Sequence, residues 1–290
     1  MAERILVTGA TGKVGRELVR LLAESGQVVR AGTRNPEAAR ALFGAGVEVV
    51  ELDFVATETY DSAVQWVDRL FLMPPPFGPD AYDTLAPLLD WAVSSDVRHV
   101  VLLSAMAVEQ MPDLALRRLE RHLESLDASR TVLRPNLYMQ NFEAGFLLDA
   151  ILASDAFELC CADAKVSFVD ARDVAVVARD ALLDDSHRGK TYTLTGPEAL
   201  DFHQAADLLS QAAGRRIAYI PTTPDRMRDL LREGHWPPAQ AEMAVGLFES
   251  VRSGWREAVH PDLPRLLGRD PTPLARFARE AALAWTRQPA

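Results

Sequence analysis

The chain has 290 residues, 48% of them hydrophobic and 25% charged, and carries a formal net charge of −10 at neutral pH. That length buries a sizeable core as one large α/β unit with a smaller appendage, and the composition is that of a globular protein rather than a disordered or fibrous one. The negative field disfavours nucleic acid and anionic lipid as partners, so any anion site must be local.

No apolar run approaches the roughly 20 residues of a membrane span. The N-terminus runs straight into Ile5-Leu6-Val7 with no signal-peptide layout, so a cytoplasmic location is expected. Residues 4–8 form a short apolar run that ends in a glycine-rich turn, followed by Val14, Leu18, Leu21 and Leu22 at helical spacing. Gly26 closes that helix and 28–31 reads as a second strand. Asn35-Pro36 opens a second helix, with proline in a permitted first-turn position.

Further β-rich runs at 47–52, 70–73 and 99–104 are separated by helical patterns at 59–66 and 82–92. Helix 113–126 and strand 130–134 continue the alternation. This rhythm predicts a parallel sheet covered on both faces, and right-handed crossovers make it a doubly wound Rossmann fold. Beyond Pro135, 165–169 and 190–194 read as strands. Asp170 with Asp173 and Asp201 with Gln204 resemble capping boxes opening helices 174–183 and 202–213. From residue 217 the pattern is mostly helical. The expected organisation is a dinucleotide-binding domain at 1–153 and a smaller, mostly helical substrate-facing lobe at 154–290, with about 165–195 returning to the sheet.

The sequence Thr8-Gly9-Ala10-Thr11-Gly12-Lys13-Val14-Gly15 sits between the first strand and the first helix. A pyrophosphate there meets free amide donors and the positive end of the helix, and glycine lets the backbone approach it. The spacing is GxxGxxG, not the narrower GxGxxG, and position in the opening βαβ unit gives the motif its meaning. After the second strand, where an acid would hold the ribose hydroxyls of NAD, the chain reads Gly32-Thr33-Arg34-Asn35. Arg34 suits a 2′-phosphate, so NADP(H) is the expected cofactor, although the same residue also reads as a solvated loop cation.

The adjacent Cys160 and Cys161 read as small buried apolar residues, without a disulfide framework. The histidines are scattered without zinc spacing, so no metal is expected. Ser104 and Ser167 lack the setting of a hydrolase nucleophile.

With that turn, Arg34, Asp53-Phe54, Met73-Pro74-Pro75, Leu133-Arg134-Pro135 and Tyr138-Met139-Gln140-Asn141-Phe142, most of the chain resembles the NmrA-like family of atypical short-chain dehydrogenases/reductases. Val169-Asp170-Ala171-Arg172-Asp173-Val174 and Tyr192-Thr193-Leu194-Thr195-Gly196-Pro197-Glu198 are most similar to bacterial relatives of the ergot alkaloid festuclavine dehydrogenases. The resemblance implies pyrophosphate on the glycine turn, the 2′-phosphate on Arg34 and adenine beside Asp53 and Phe54. It further implies ribose flanked by Met73, Pro74 and Pro75, nicotinamide beside Ser104, and Tyr138, Met139, Gln140 and Asn141 bordering the nicotinamide and the substrate opening. Bottom-up, Asp53 and Ser104 read equally as caps at strand ends, and Phe54 and Met73 as core.

The Tyr-x-x-x-Lys pair of short-chain dehydrogenases is missing: Val64, Ala86, Phe142, Gly196 and Thr223 stand four residues after the five tyrosines. Relatives often place histidine or lysine four residues before the glutamate matched here by Glu120, where this chain has Leu116. Three readings stay open. One is an NADPH-dependent reductase of a small hydrophobic imine, enone or quinone-like metabolite, with Ser104 or Tyr138 as a hydrogen-bonding catalytic group. Another is a non-catalytic NADP(H)-sensing regulator, and the third is a non-redox enzyme of secondary metabolism. Met227, Trp236, Met243, Leu247, Phe248 and Trp255 would suit a lid over an apolar aromatic substrate, or simply core. The assembly expected is a monomer or homodimer.

Overall fold

In the computed structural model, which describes residues 2–75 and 80–286, strands and helices alternate through the first half of the chain. The order is β1 (Arg4–Val7), α1 (Lys13–Glu24), β2 (Val28–Thr33), α2 (Pro36–Phe43), β3 (Glu48–Glu51), α3 (Tyr60–Val64), β4 (Arg69–Leu72), α4 (Ala81–Ser94), β5 (His99–Leu103), α5 (Ala115–Ser125) and β6 (Ser129–Pro135). There follow α6 (Phe146–Ser154), β7 (Ala156–Leu159), α7 (Ala171–Leu183), β8 (Lys190–Leu194), α8 (Phe202–Ala213), β9 (Ala218–Pro221), α9 (Pro224–Glu233), α10 (Pro238–Val251), α11 (Asp262–Leu267) and α12 (Leu274–Glu280).

The chain divides into two units, Met1–Pro135 with Ala171–Thr193, and Asn136–Asp170 with Leu194–Ala290. The units exchange chain at 135/136, 170/171 and 193/194; the sequence expectation has a change-over near residue 153 and a return to the sheet at about 165–195.

The first unit is built on a seven-stranded sheet of order β3-β2-β1-β4-β5-β6-β8. Neighbours from β3 to β6 run parallel. Strand order reverses between β1 and β4, and ligands of such sheets lie outside the carboxyl ends of the strands at that switch point. β4 and β5 are buried at every residue, because helices cover both faces and leave no polar side to alternate. α1 packs with α7. Leu85, Leu88 and Leu89 of α4 and Leu119 and Leu123 of α5 cluster with Leu6, Leu70, Leu72, Val100 and Leu102 of the sheet. His99 opens β5 fully buried, with Nδ1 2.8 Å from Ser129 Oγ and Nε2 3.0 Å from the Ala181 carbonyl. Burial pulls its pKa down to about 4, so the ring is neutral at neutral pH.

In the second unit, Phe142, Phe157, Phe168, Phe202 and Tyr219 interlock, largely edge-to-face, and Trp285 Nε1 donates to the Phe142 carbonyl at 2.7 Å. Cys160 and Cys161 are free thiols buried in this core.

Two expectations change here. Residues 165–169 are not a strand: Val166 bridges Leu200, Val169 bridges Tyr138, and the Ser167 N–H donates to the Arg256 carbonyl, so three different segments share the run. A parallel pair, β7 with β9, stands where the sequence pattern showed none, since four-residue strands are too short for a readable period. The capping box of Asp201 and Gln204 forms at the start of α8. Among the described residues no helix is long and apolar enough to cross a membrane.

Candidate functional site

β1 ends against the switch point, and the Thr8 N–H donates to the Phe71 carbonyl at 3.0 Å. Gly9 then takes φ +58°, a left-handed conformation that glycine adopts without steric cost, and its carbonyl accepts the Gly12 N–H at 2.9 Å. Gly12 caps α1, with no side-chain hydrogen bond to its first turn and no acid in that turn. The first turn of α1 thus has neither a capping side chain nor an acid of its own against its amides and the positive helix end.

The three glycines hold this cradle closed. A Cβ on Gly15 would overlap the Gly9 carbonyl oxygen and stand 2.9 Å from Ala10 Cα. One on Gly12 would lie 3.1 Å from the same oxygen and 3.2 Å from Met73 Cε. Ala10, Val14 and Gly15 are buried, Gly12 and Lys13 are half-buried, and Thr11 is exposed at the tip. An uncapped helix start lined by backbone fits a pyrophosphate.

Arg34 follows β2 and is exposed. Among the described residues it makes no hydrogen bond or ion pair, while its neighbours are fixed: the Asn35 N–H donates to Thr33 Oγ1 and Asn35 Oδ1 caps α2 through the Ala38 N–H, each at 3.1 Å. Asp53 Oδ1 accepts the Val55 N–H at 3.1 Å, so this acid does turn a loop. Phe54, half-buried, lines an open depression with Tyr60, Asp80, Thr84 and Pro87, and the Tyr60 hydroxyl donates to its carbonyl at 2.6 Å. Met73, Pro74 and Pro75 follow β4 as half-buried residues, and the Met73 N–H donates to Thr8 Oγ1 at 2.9 Å.

Ser104 follows β5. Its N–H donates to the Leu133 carbonyl at 2.8 Å, and its Oγ is buried without a hydrogen-bond partner. On α5, buried Glu120 receives Arg134 through Nε at 2.9 Å and Nη2 at 2.7 Å, and Arg117 Nη1 at 2.6 Å. Burial opposes its charge, but Arg134 above all, with the nearby Ser104 hydroxyl and Arg117, holds the Glu120 carboxyl below its usual range. The Ser104 hydroxyl thus feels this carboxylate without completing a hydrogen bond to it. Nothing in the sequence joins Arg134 to Glu120, and only the packing of β6 beside α5 reveals this cluster.

In the second unit, the segment after Asn136 carries the remaining predicted site residues. Tyr138 bridges Val169, and its hydroxyl is buried with no partner, so burial raises its pKa. Met139 is buried and its N–H donates to the Val169 carbonyl at 2.9 Å. Gln140 Nε2 donates to Asp170 Oδ1 at 2.8 Å, and the Asn141 N–H to the Tyr138 carbonyl at 3.1 Å. Of these four, Tyr138 presents the orphaned polar atom. Among the aromatic and methionine residues considered for a lid, Met227 and Phe248 are core, Trp236 is half-buried edge-on to Phe146, and Met243 and Trp255 are exposed.

The NmrA-like family profile matches residues 1–251. This chain belongs to the NmrA-like family. It is 35% identical over 288 residues to the (4-alkanoyl-5-oxo-2,5-dihydrofuran-3-yl)methyl phosphate reductase of Streptomyces griseus subsp. griseus, covering 97% of this chain and 99% of that one. Agroclavine dehydrogenase of Claviceps fusiformis is 29% identical over 286 residues, covering 97% and 98%, in keeping with the clavine-dehydrogenase resemblance. The crystal structure of Citrobacter sp. triphenylmethane reductase complexed with NADP(H) superposes with a TM-score of 0.80 at 25% identity, covering 96% of this chain and 99% of that one. These relatives are reductases and dehydrogenases on the same Rossmann-like fold.

Proposed function

We propose that this NmrA-like protein is an NADPH-dependent reductase of a small hydrophobic imine, enone or quinone-like metabolite. One observation carries the cofactor half: a glycine turn at an uncapped helix start, with an unpaired arginine instead of an acid at the end of β2. In this reading Gly9, Ala10, Thr11, Gly12, Lys13, Val14 and Gly15 cradle the pyrophosphate and Arg34 takes the 2′-phosphate through a charge-assisted fork. Asp53 and Phe54 border the adenine, and Met73, Pro74 and Pro75 the ribose.

NADPH, when bound, supplies the hydride. The residues of this chain bind, orient and exclude water. The Tyr138 hydroxyl, kept protonated by its raised pKa, acts as a hydrogen-bond donor rather than a base, and Ser104 Oγ is a second uncommitted hydroxyl. Neither is followed four residues on by a lysine that would make a stronger acid of it. An iminium acceptor asks for none, since its nitrogen becomes neutral as the adjoining carbon is reduced. The relatives named as an oxo-dihydrofuran reductase and a clavine dehydrogenase support a reductive reaction on an unsaturated small molecule.

Calorimetric titration with NADPH, NADP⁺, NADH and NAD⁺, followed by oxidation of reduced nicotinamide in the presence of cyclic imines, enones and quinones, tests the reading. Selective NADPH binding with turnover is expected. Absence of nucleotide binding overturns it, and selective binding without turnover on any acceptor favours a sensing role.

A further inference from the structure

The overall charge of −10 makes an unpaired buried cation in this protein conspicuous. Arg256 is one: it is 4% exposed, and its guanidinium makes neither an ion pair nor a hydrogen bond among the described residues. Its backbone, by contrast, is pinned. The Arg256 carbonyl accepts the Ser167 N–H at 3.0 Å and Asn136 Nδ2 at 2.8 Å, and Asn136 Nδ2 is also 2.8 Å from Ser167 Oγ.

A guanidinium largely withdrawn from water with no protein acceptor among the described residues is costly, and folds keep such groups where something else completes them. Among the described residues no carboxylate forms an ion pair with Arg256. Burial pulls the Arg256 pKa down to about 10, an effect opposed by the nearby Cys161. The guanidinium therefore stays cationic at neutral pH. Arg252, four residues earlier, is exposed and also unpaired. Burial pushes the Cys161 thiol up while Arg252 and Arg256 both pull it down, so both cations act on one point of the second unit.

The carbonyl-bound segment at 136–138 also carries Tyr138, whose buried hydroxyl is orphaned. Uncommitted donors on one hydrogen-bonded scaffold are what an oxyanion requires, and the planar fork of arginine matches phosphate or carboxylate in two parallel bonds.

We propose that the Arg256 guanidinium anchors an oxyanion subsite within the second unit, taking a phosphate monoester or carboxylate carried by the substrate. Assigning the anion to the substrate rests on the reductase reading; the binding itself does not.

The test is calorimetric titration of the full-length protein, with and without saturating NADPH, using phenyl phosphate and benzoate as probes. The wild type is compared with Arg256→Met and Arg256→Lys, and melting temperatures are recorded in parallel. Expected are binding of at least one probe, a loss of tenfold or more in Arg256→Met with unchanged NADPH affinity, and a smaller loss in Arg256→Lys. The probe that binds tells a phosphate from a carboxylate subsite.

Arg256→Met is also expected to melt no lower than the wild type, since it removes an uncompensated buried charge. Should it fail to fold, the Arg256→Lys affinities decide. Equal affinity in wild type and variants, or no binding of either probe to the wild type, overturns the subsite, and a lower melting temperature with unchanged probe binding assigns Arg256 to the fold. If NADPH does not bind but probe binding still depends on Arg256, the cofactor reading falls and the subsite stands.

Discussion

The Met73 methyl group rests on Gly9, in the space where any other residue at that position would carry its Cβ. Thr8 Oγ1 fixes the Met73 backbone at the same level, so the ends of β1 and β4 are latched together directly over the glycine turn. The turn tolerates substitutions according to what each would strike. At Gly15 the obstacle is backbone, the Gly9 carbonyl and Ala10 Cα. Gly15→Ala gains about 1 kcal/mol of helix propensity but incurs about 1–3 kcal/mol of overpacking strain, so a lowered melting temperature and a large loss of NADPH affinity are expected. Gly12→Ala meets partly a flexible methionine end and should cost less. Thermal denaturation with NADPH titration of both variants checks the order.

Arg34 has no partner to lose in the protein, so Arg34→Ala should leave the melting temperature of the free protein within a degree or so. A charge-assisted contact of about 1.5–3 kcal/mol predicts NADPH binding weakened by about 10- to 100-fold, with NADH binding nearly unchanged. Equal losses for both nucleotides would falsify the 2′-phosphate assignment.

Removing a buried, unpartnered hydroxyl does not cost a hydrogen bond in the free protein. Tyr138→Phe should therefore be neutral or stabilising by up to about 1 kcal/mol. If the hydroxyl donates to a carbonyl acceptor, turnover of enones or quinones should fall about tenfold or more, while turnover of iminium acceptors changes little. Steady-state rates on paired acceptors, read beside melting curves, separate the two effects.

His99 makes stability depend on acidity. In the native protein burial holds its pKa at about 4, against 6.5 for the free side chain, so the unfolded chain binds more protons between those values. Its contribution is complete above about pH 6.5 and is lost as pH falls toward 4, amounting to about 3 kcal/mol at the most. Denaturant midpoints measured across that window should fall with acid, and the slope should flatten in His99→Gln. An unchanged slope in the variant would assign the acid sensitivity elsewhere.

The sequence by itself determined the doubly wound sheet, since buried parallel strands write continuous apolar runs and helices write a 3.6-residue period. It also determined the glycine turn and the presence of a cation instead of an acid after β2, because both are written in a few consecutive positions of the chain. What only tertiary structure decided depends on residues far apart in sequence. The Glu120–Arg134 pair joins a helix to a strand, the run at 165–169 is divided among three separate segments, and β7 and β9 pair across some sixty residues. The orphaned hydroxyls of Ser104 and Tyr138 and the unpaired guanidinium of Arg256 belong to the same class. Whether a polar atom has a partner is set by everything packed around it in three dimensions, and no local pattern of side chains encodes that.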